Sequence, residues 1–182
     1  MSRTNAARLR WAVEVLDPRP GDRILEVGCG VGAAVELVAA HLRRGTILAL
    51  DRSQPMVAQA RRRNAAAIAD GRVRIEAVAV AVADLGRAAF DRIFSFNVGL
   101  FWRHPAPELP ALVRALRPAG VLYVFHQAPV PTDMRSPIGA LRAQLASLGL
   151  DACEVLRERL HPVPAVCVVA RRSTALDEPA PR

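Results

Sequence analysis

The residue types best suited to chemistry converge on one turn. Ile24-Leu25-Glu26-Val27 is a short apolar run interrupted by an acid, and it enters Gly28-Cys29-Gly30-Val31-Gly32. Glycine permits positive φ and lacks the Cβ that would hold a ligand off the backbone. A helix-like pattern follows, so unpaired N–H groups and the positive end of a helix dipole face the turn. Asp51 closes the next apolar run. A carboxylate there can accept hydrogen bonds from both hydroxyls of a ribose, or it can cap a helix ahead of Ser53. Asn97 and His126 end two later apolar runs.

The elements that must position these residues follow from periodicity. Leu9, Val13 and Leu16 at helical spacing predict a helix over 4–16, ended by Pro18, Pro20 and Gly21. Ile24–Val27 predicts a strand buried on both faces. Val31, Val35, Val38 and Leu42 then line one helix face, with Arg43 and Arg44 near its end and Gly45 as its cap. Thr46–Leu50 is the second strand, and the next helix opens at Ser53 or Gln54 and runs to about Ala67. After the Asp70-Gly71 turn, Arg72–Val78 is the third strand, while 76–83 reads equally as more strand or a short helix. Phe90–Phe96 is the fourth strand, 97–107 a loop, and a helix follows to Arg117, closed by Pro118-Ala119-Gly120. Val121–Phe125 is the fifth strand, and 128–137 is a proline-rich loop. Ile138, Leu141, Leu145 and Leu148 mark a last helix that stops at Gly149. Ala152–Arg159 and Val163–Ala170 form a closing hairpin through His161-Pro162, because so short a link suits only an antiparallel pair. Alternating strand and helix predicts an α/β fold, doubly wound around a mostly parallel sheet with helices on both faces. One domain spans 1–172, and 173–182 reads as a disordered tail.

Composition sets outer bounds. The 182 residues are 52% hydrophobic but only 4% aromatic, so Ala, Val and Leu must build most of the core. The formal charge is +8, and every one of the 25 basic residues is arginine. A nucleic-acid or membrane surface is one reading of that charge. The arginines are scattered, with one run at Arg61-Arg62-Arg63, which favours general composition bias and a solvated helix face. Cys29, Cys153 and Cys167 form neither a CxxC pair nor a metal-ligand spacing, so no metal site is expected and reduced thiols in a cytoplasmic protein are. No apolar run reaches membrane-spanning length, and no apolar signal core follows the arginine-rich start.

In an open α/β sheet, ligands sit beyond the carboxyl ends of the strands. Glu26, Asp51, Asn97 and His126 all fall at that edge. The order of these features resembles class I S-adenosylmethionine (SAM)-dependent methyltransferases across nearly the whole chain. The matching stretches are the glycine motif at 26–32, Asp51 to Met56, the Phe90-Asp91 entry to strand four, Arg117 to Val121, and the final hairpin. The resemblance implies a seven-stranded sheet of order 3-2-1-4-5-7-6, with strand 7 antiparallel, and SAM as cofactor. It further implies that Gly28, Cys29, Gly30 and Gly32 cradle the methionine part. Glu26 would orient the loop or bind the amino group, Asp51 would hold the ribose, and Arg52 and Met56 would pack near the adenine. Asn97 would lie near the methyl donor. Many members carry an acidic or polar residue after strand three; here Ala77, Val78, Ala79 and Val80 stand there. Either backbone groups of Ala79 and Val80 replace that side chain or Asp84 reaches back.

Methyl transfer needs alignment and exclusion of water more than acid–base help. If a base is needed, His104 and His126 are the candidates, followed by Asp133. Phe101 and Trp102 wall the acceptor pocket or simply pack the loop. Asn97-Val98-Gly99-Leu100 lacks the prolines and aromatic usual in enzymes that methylate nucleic-acid adenine. A small-molecule acceptor is therefore expected, with nucleic acid disfavoured and no membrane partner. The acceptor's identity and the oligomeric state stay open. Two rivals remain. Gly28-x-Gly30-x-x-Ala33 with Asp51 also fits an NAD(P)-binding Rossmann oxidoreductase, although Glu26 and the absence of any Lys argue against it. The apolar strand-three end also suits a methyltransferase fold that has lost activity and serves as a binding module.

Overall fold

Seven strands form one sheet in the order β3-β2-β1-β4-β5-β7-β6. The computed structural model describes residues 3–103, 107–130, 132–161 and 163–172. His104, Pro162 and the 173–182 tail named above lie outside them. The strands are β1 Arg23–Val27, β2 Thr46–Asp51, β3 Val73–Ala77, β4 Phe90–Phe96, β5 Leu116–Gln127, β6 Ala152–Glu158 and β7 Ala165–Arg171. The helices are α1 Arg3–Leu16, α2 Ala33–Ala39, α3 Gln54–Arg63, α4 Ala65–Ala69, α5 Leu100–Arg103, α6 Leu109–Ala115 and α7 Arg135–Ser147. Strands β1 to β5 pair in parallel, and β7 runs antiparallel to both β5 and β6. The expected sheet order and the closing hairpin are both present.

Side-chain alternation sends each strand's residues to one of two apolar layers. Ile24, Phe94, Tyr123 and Phe125 pack with Leu9, Trp11, Val35 and Val38 under α1 and α2. Leu25, Ile93, Leu122 and Val124 pack with Phe101, Leu112, Ile138 and Leu145 under α5, α6 and α7. The few aromatic rings are concentrated. Trp11 meets Phe125 edge-on at 5.5 Å between centroids, and Phe125 stacks with both Phe96 and Tyr123.

Several boundaries differ from the sequence reading, each for a local reason. Helix α2 stops at Ala39, well short of Arg43. The N–H groups of Arg43, Arg44 and Gly45 instead converge on the carbonyl of Pro20. Gly45 is needed for close approach, since a Cβ there would run into the backbone of Asp22. The helix expected to reach Ala67 breaks at Asn64 into α3 and α4. The 76–83 ambiguity resolves as a strand ending at Ala77 and a single 3-10 turn at Val80–Val82. The 97–107 loop contains the short helix α5. Helix α6 ends at Ala115, and Arg117 to Gly120 bulge within a longer β5, whose pairing with β4 shifts between Phe90 and Arg92.

Two charged residues of β4 fasten the amino end of the sheet. Arg92, only 8% exposed in a central strand, donates through Nε to Asp22 Oδ2 at 2.6 Å and through Nη1 to the Tyr123 hydroxyl at 3.1 Å. Asp91 accepts from the Arg23 N–H at 2.8 Å and from Arg117 Nη1. The Phe90-Asp91 pair thus ties β4 to its neighbours on both sides.

Candidate functional site

The glycine turn takes its shape from three left-handed residues, Gly28 at φ 76, Gly30 at φ 52 and Gly32 at φ 72. Their space requirements differ. A Cβ on Gly28 would stand 2.5 Å from Val98 Cγ2, so the turn is pressed against the segment after β4. A Cβ on Gly32 would stand 2.6 Å from Asn64 Nδ2 and 2.8 Å from the Ala60 Cβ, so here α2 is pressed against α3. Nothing lies within 4 Å of the corresponding point on Gly30, and that opening is where a ligand can touch backbone. Replacing Gly32 with Ala combines φ strain with overlap and should cost about 1–3 kcal/mol of stability. Urea denaturation measures it, and an unchanged midpoint would mean that α2 and α3 can separate freely.

Asp51 ends β2 beside this turn. Its Oδ2 accepts from the Gly30 N–H at 2.8 Å and its Oδ1 from the Ser53 N–H at 2.9 Å. Ser53, not Asp51, is the N-cap of α3, so the capping role considered for Asp51 does not hold: its bond to the Ser53 N–H closes a two-residue turn ahead of the helix. Each oxygen keeps a lone pair for a further donor. The Gly28 and Cys29 N–H groups both donate to the Leu50 carbonyl, at 2.8 and 3.0 Å, which locks the turn to β2. Asn64 completes the brace by donating to the Gly32 carbonyl at 3.0 Å and the Ala60 carbonyl at 2.9 Å. Sequence reasoning missed Asn64, because its burial and the helix break at which it stands exist only in the fold.

Glu26 is the outlier of the site. It is 2% exposed, and its Oε2 has no hydrogen-bond partner. Burial, with Asp51 nearby, raises its pKa to about 8. Leaving a buried carboxyl oxygen unsatisfied is costly. A group that donates to it, above all a cation, would relieve that cost. Cys29 is close enough to both acids to feel their charges. Burial and then the charges of Glu26 and Asp51 push its thiol up, so it stays protonated and is no nucleophile.

At the β4 and β5 ends, Asn97 adopts φ 55, a conformation Asn tolerates better than most residues. Its N–H donates to the Phe125 carbonyl at 3.0 Å and its Oδ1 accepts from the Gln127 N–H at 2.7 Å. That bond ties β4 to β5 and fixes the side chain, and among the described residues its NH2 group has no acceptor, so it can serve a ligand. His126 projects to the other face of the sheet, with its ring 5.1 Å from that of Trp102. Neither His126 Nδ1 nor Trp102 Nε1 has a partner. Burial lowers the His126 pKa, so the ring is neutral near pH 7. It opens on a cleft of about 340 Å³ shared with Val130, Thr132, Asp133 and Arg157. Phe101 is core packing at 3% exposed.

Comparison with known proteins now bears on the ligand. A family model described as a methyltransferase domain matches residues 25–122, more than half of the chain. The chain belongs to the class I SAM-dependent methyltransferase family. Trans-aconitate 2-methyltransferase of Methylobacterium nodulans is 32% identical over 128 residues, covering 68% of this chain and 44% of that protein. The chain spans about half the length of the curated relatives it matches first. An uncharacterized methyltransferase of Bacillus subtilis, YdaC, is 23% identical over 176 residues and is covered end to end, 94% of this chain and 95% of that one. The [4+2]-cyclase SpnF shares the fold at a TM-score of 0.71, with 19% identity over 91% of this chain and 80% of its own.

Membership of this methyltransferase family sharpens what the remaining candidates can do. Arg52 and Met56 are both exposed on the α3 side of Asp51, with Met56 36% exposed. Beyond β3, Ala79 is exposed and Val80 is buried at the head of the 3-10 turn. Asp84 does not reach back toward them. Its Oδ1 accepts from the Gly86 N–H at 3.2 Å, and it lines a cleft with Arg23 and Thr46 at the opposite, amino edge of the sheet. Asp133 is also a poor base, because its hydrogen bonds with Arg135 hold its carboxyl down to about 2.

Proposed function

We propose that this protein is a SAM-dependent methyltransferase acting on a small-molecule acceptor. The carrying observation is Glu26, a buried acid with a vacant oxygen, set beside a glycine turn whose one open point is Gly30. That donor set fits the ammonium, the amino-acid chain and the ribose of SAM. Glu26 takes the ammonium, backbone groups of Gly28, Cys29 and Gly30 line the methionine part, and Gly32 closes the turn onto α2. Asp51 holds the ribose. Arg52, Met56 and the backbone of Ala79 and Val80 border the adenine. Asn97 stands nearest the methyl donor. The bound cofactor supplies a methyl group on a positively charged sulfur; this chain aligns the acceptor with it and keeps water out. His126, neutral, beside the Trp102 ring and facing the cleft, is the base for an acceptor that must lose a proton. His104 is kept as a second candidate from the sequence.

The name of the trans-aconitate enzyme supports a small acceptor. The missing prolines after Asn97 and the scattered arginines weigh against nucleic acid. The free cysteines agree with a cytoplasmic setting, and among the described residues no helix is long and apolar enough to cross a membrane. A second reading, a related fold put to another use, is favoured by the likeness to a cyclase. Calorimetry with S-adenosylhomocysteine, SAM and NAD, followed by transfer of labelled methyl groups to small acids and alcohols, separates these readings. Binding of the first two without NAD, with label transfer, is the expected result. NAD binding alone would overturn the proposal, and SAM binding without transfer to any acceptor would favour the second reading.

A further inference from the structure

Arg8 is unlike the other sheltered arginines. Arg92 is paired with Asp22, Arg72 with Asp70 and the Ala39 carbonyl, and Arg61 with the Ile75 carbonyl. The Arg8 Nε is shut off from water and has no hydrogen-bond partner. Among the described residues its guanidinium joins none of the ion pairs. Its contact is with the ring of Phe96, whose centroid lies 5.2 Å from the Arg8 Cζ. Burial lowers its pKa. A cation–π contact offsets only part of the cost of burying an N–H of a cation without an acceptor.

The place is informative. Trp11, one turn along α1 from Arg8, packs on Phe125, so this part of α1 crosses the carboxyl ends of β4 and β5. Val27 is level with Ser95 across β1 and β4, so Phe96 stands level with Gly28, about 5 Å away in the next strand. Phe96 belongs to the same apolar layer as Ile24, and alternation puts Glu26 on that face too. A vacant carboxyl oxygen and a guanidinium whose buried Nε lacks an acceptor therefore flank one end of the glycine turn. Those are the complements of an ammonium and a carboxylate.

We propose that Arg8 is the carboxylate receptor of this site. The proposal rests on the cofactor reading above. Two molecules can present that group at the β4 rim, the amino-acid end of the cofactor and an acceptor that is itself an acid. Arginine's planar fork suits either, because it donates two parallel hydrogen bonds to one carboxylate.

The test uses the full chain and three substances: S-adenosylhomocysteine, 5′-methylthioadenosine, which lacks the amino-acid end, and citrate as a plain carboxylate. Arg8→Met keeps the apolar stem over Phe96, and Arg8→Lys keeps the charge. If the cofactor is the source, Arg8→Met weakens S-adenosylhomocysteine about 10- to 100-fold. It leaves methylthioadenosine within about twofold, and Arg8→Lys recovers part of the loss. If the acceptor is the source, S-adenosylhomocysteine is unchanged, while citrate binds the S-adenosylhomocysteine-saturated wild type and not the Arg8→Met variant. Equal losses for S-adenosylhomocysteine and methylthioadenosine mean that Arg8 only supports the fold, and overturn the proposal. So does no change with either carboxylate. Failure of wild type to bind S-adenosylhomocysteine sinks the cofactor reading instead; Arg8 then stands or falls on citrate binding that Arg8→Met abolishes.

Discussion

Replacing Asp51 with Ala is expected to weaken S-adenosylhomocysteine binding by about 1–3 kcal/mol, roughly 5- to 150-fold. The lost interactions are hydrogen bonds from ribose hydroxyls to a charged acceptor. The carboxylate is already oriented, because its two oxygens receive the Gly30 and Ser53 N–H groups at 2.8 and 2.9 Å. A ligand therefore spends no further free energy on fixing the side chain. The same two bonds make the variant informative about the turn. Asp51→Ala also strands the Gly30 N–H, so the turn loses a brace as well as a receptor. Asp51→Asn separates these effects. It retains one acceptor oxygen but sets an NH2 group against one of the two backbone donors, so its loss should approach that of alanine. Titration calorimetry reads both variants. Affinity unchanged in Asp51→Ala would place the ribose elsewhere and remove the strongest parallel between this site and its family.

The second large effect is a dependence on pH that runs through Glu26. Its pKa in the folded protein is about 8, raised by burial and by Asp51, against the ordinary 4.5 of an exposed glutamate. Between those values the folded state keeps a proton that the unfolded state has released. Stability must therefore fall as pH rises through this window, by up to about 1.4 kcal/mol per unit, and level off above pH 8. Glu26→Gln removes the titrating group and should flatten this part of the profile. Urea denaturation at pH 5, 6.5 and 8 gives the comparison. Parallel profiles for the two proteins would show that Glu26 is already charged when folded. The ligand reverses the trend. An ammonium beside Glu26 favours its charged form, so binding expels the proton. Affinity for S-adenosylhomocysteine should then rise with pH toward 8, by at most about tenfold per unit. In Glu26→Gln that rise should be absent.

Both effects concern residues whose place was legible before any coordinates, and the reason is physical. Strand and helix periods are local, so β1, β2 and β4 could be read from runs of Ile, Leu, Val and Phe. Left-handed turns favour Gly, so residues 28, 30 and 32 marked themselves. Strand ends then placed Glu26 and Asp51 on one edge, since parallel strands with intervening helices all point the same way. Where local signals conflict, tertiary contacts decided. Arg43 and Arg44 looked like the end of α2, but the Pro20 carbonyl competes for their N–H groups and the helix stops at Ala39. Pro118 and Gly120 looked like the end of a helix, yet pairing with β4 draws them into a bulge of β5.

The sequence by itself determined the order of elements, the glycine turn and the two acids that meet it. Only the tertiary structure decided which polar atoms were left without partners. Arg92 and Arg8 are the same residue type, and no local pattern separates them. One finds Asp22 70 positions away and spends its charge on the fold. The other reaches the Phe96 ring and keeps its hydrogen-bonding capacity. Satisfaction of a buried donor is a property of three-dimensional neighbours, which a single strand or helix does not encode. For that reason the acid and the cation that flank the turn become visible as a pair only once α1, β1 and β4 are brought together.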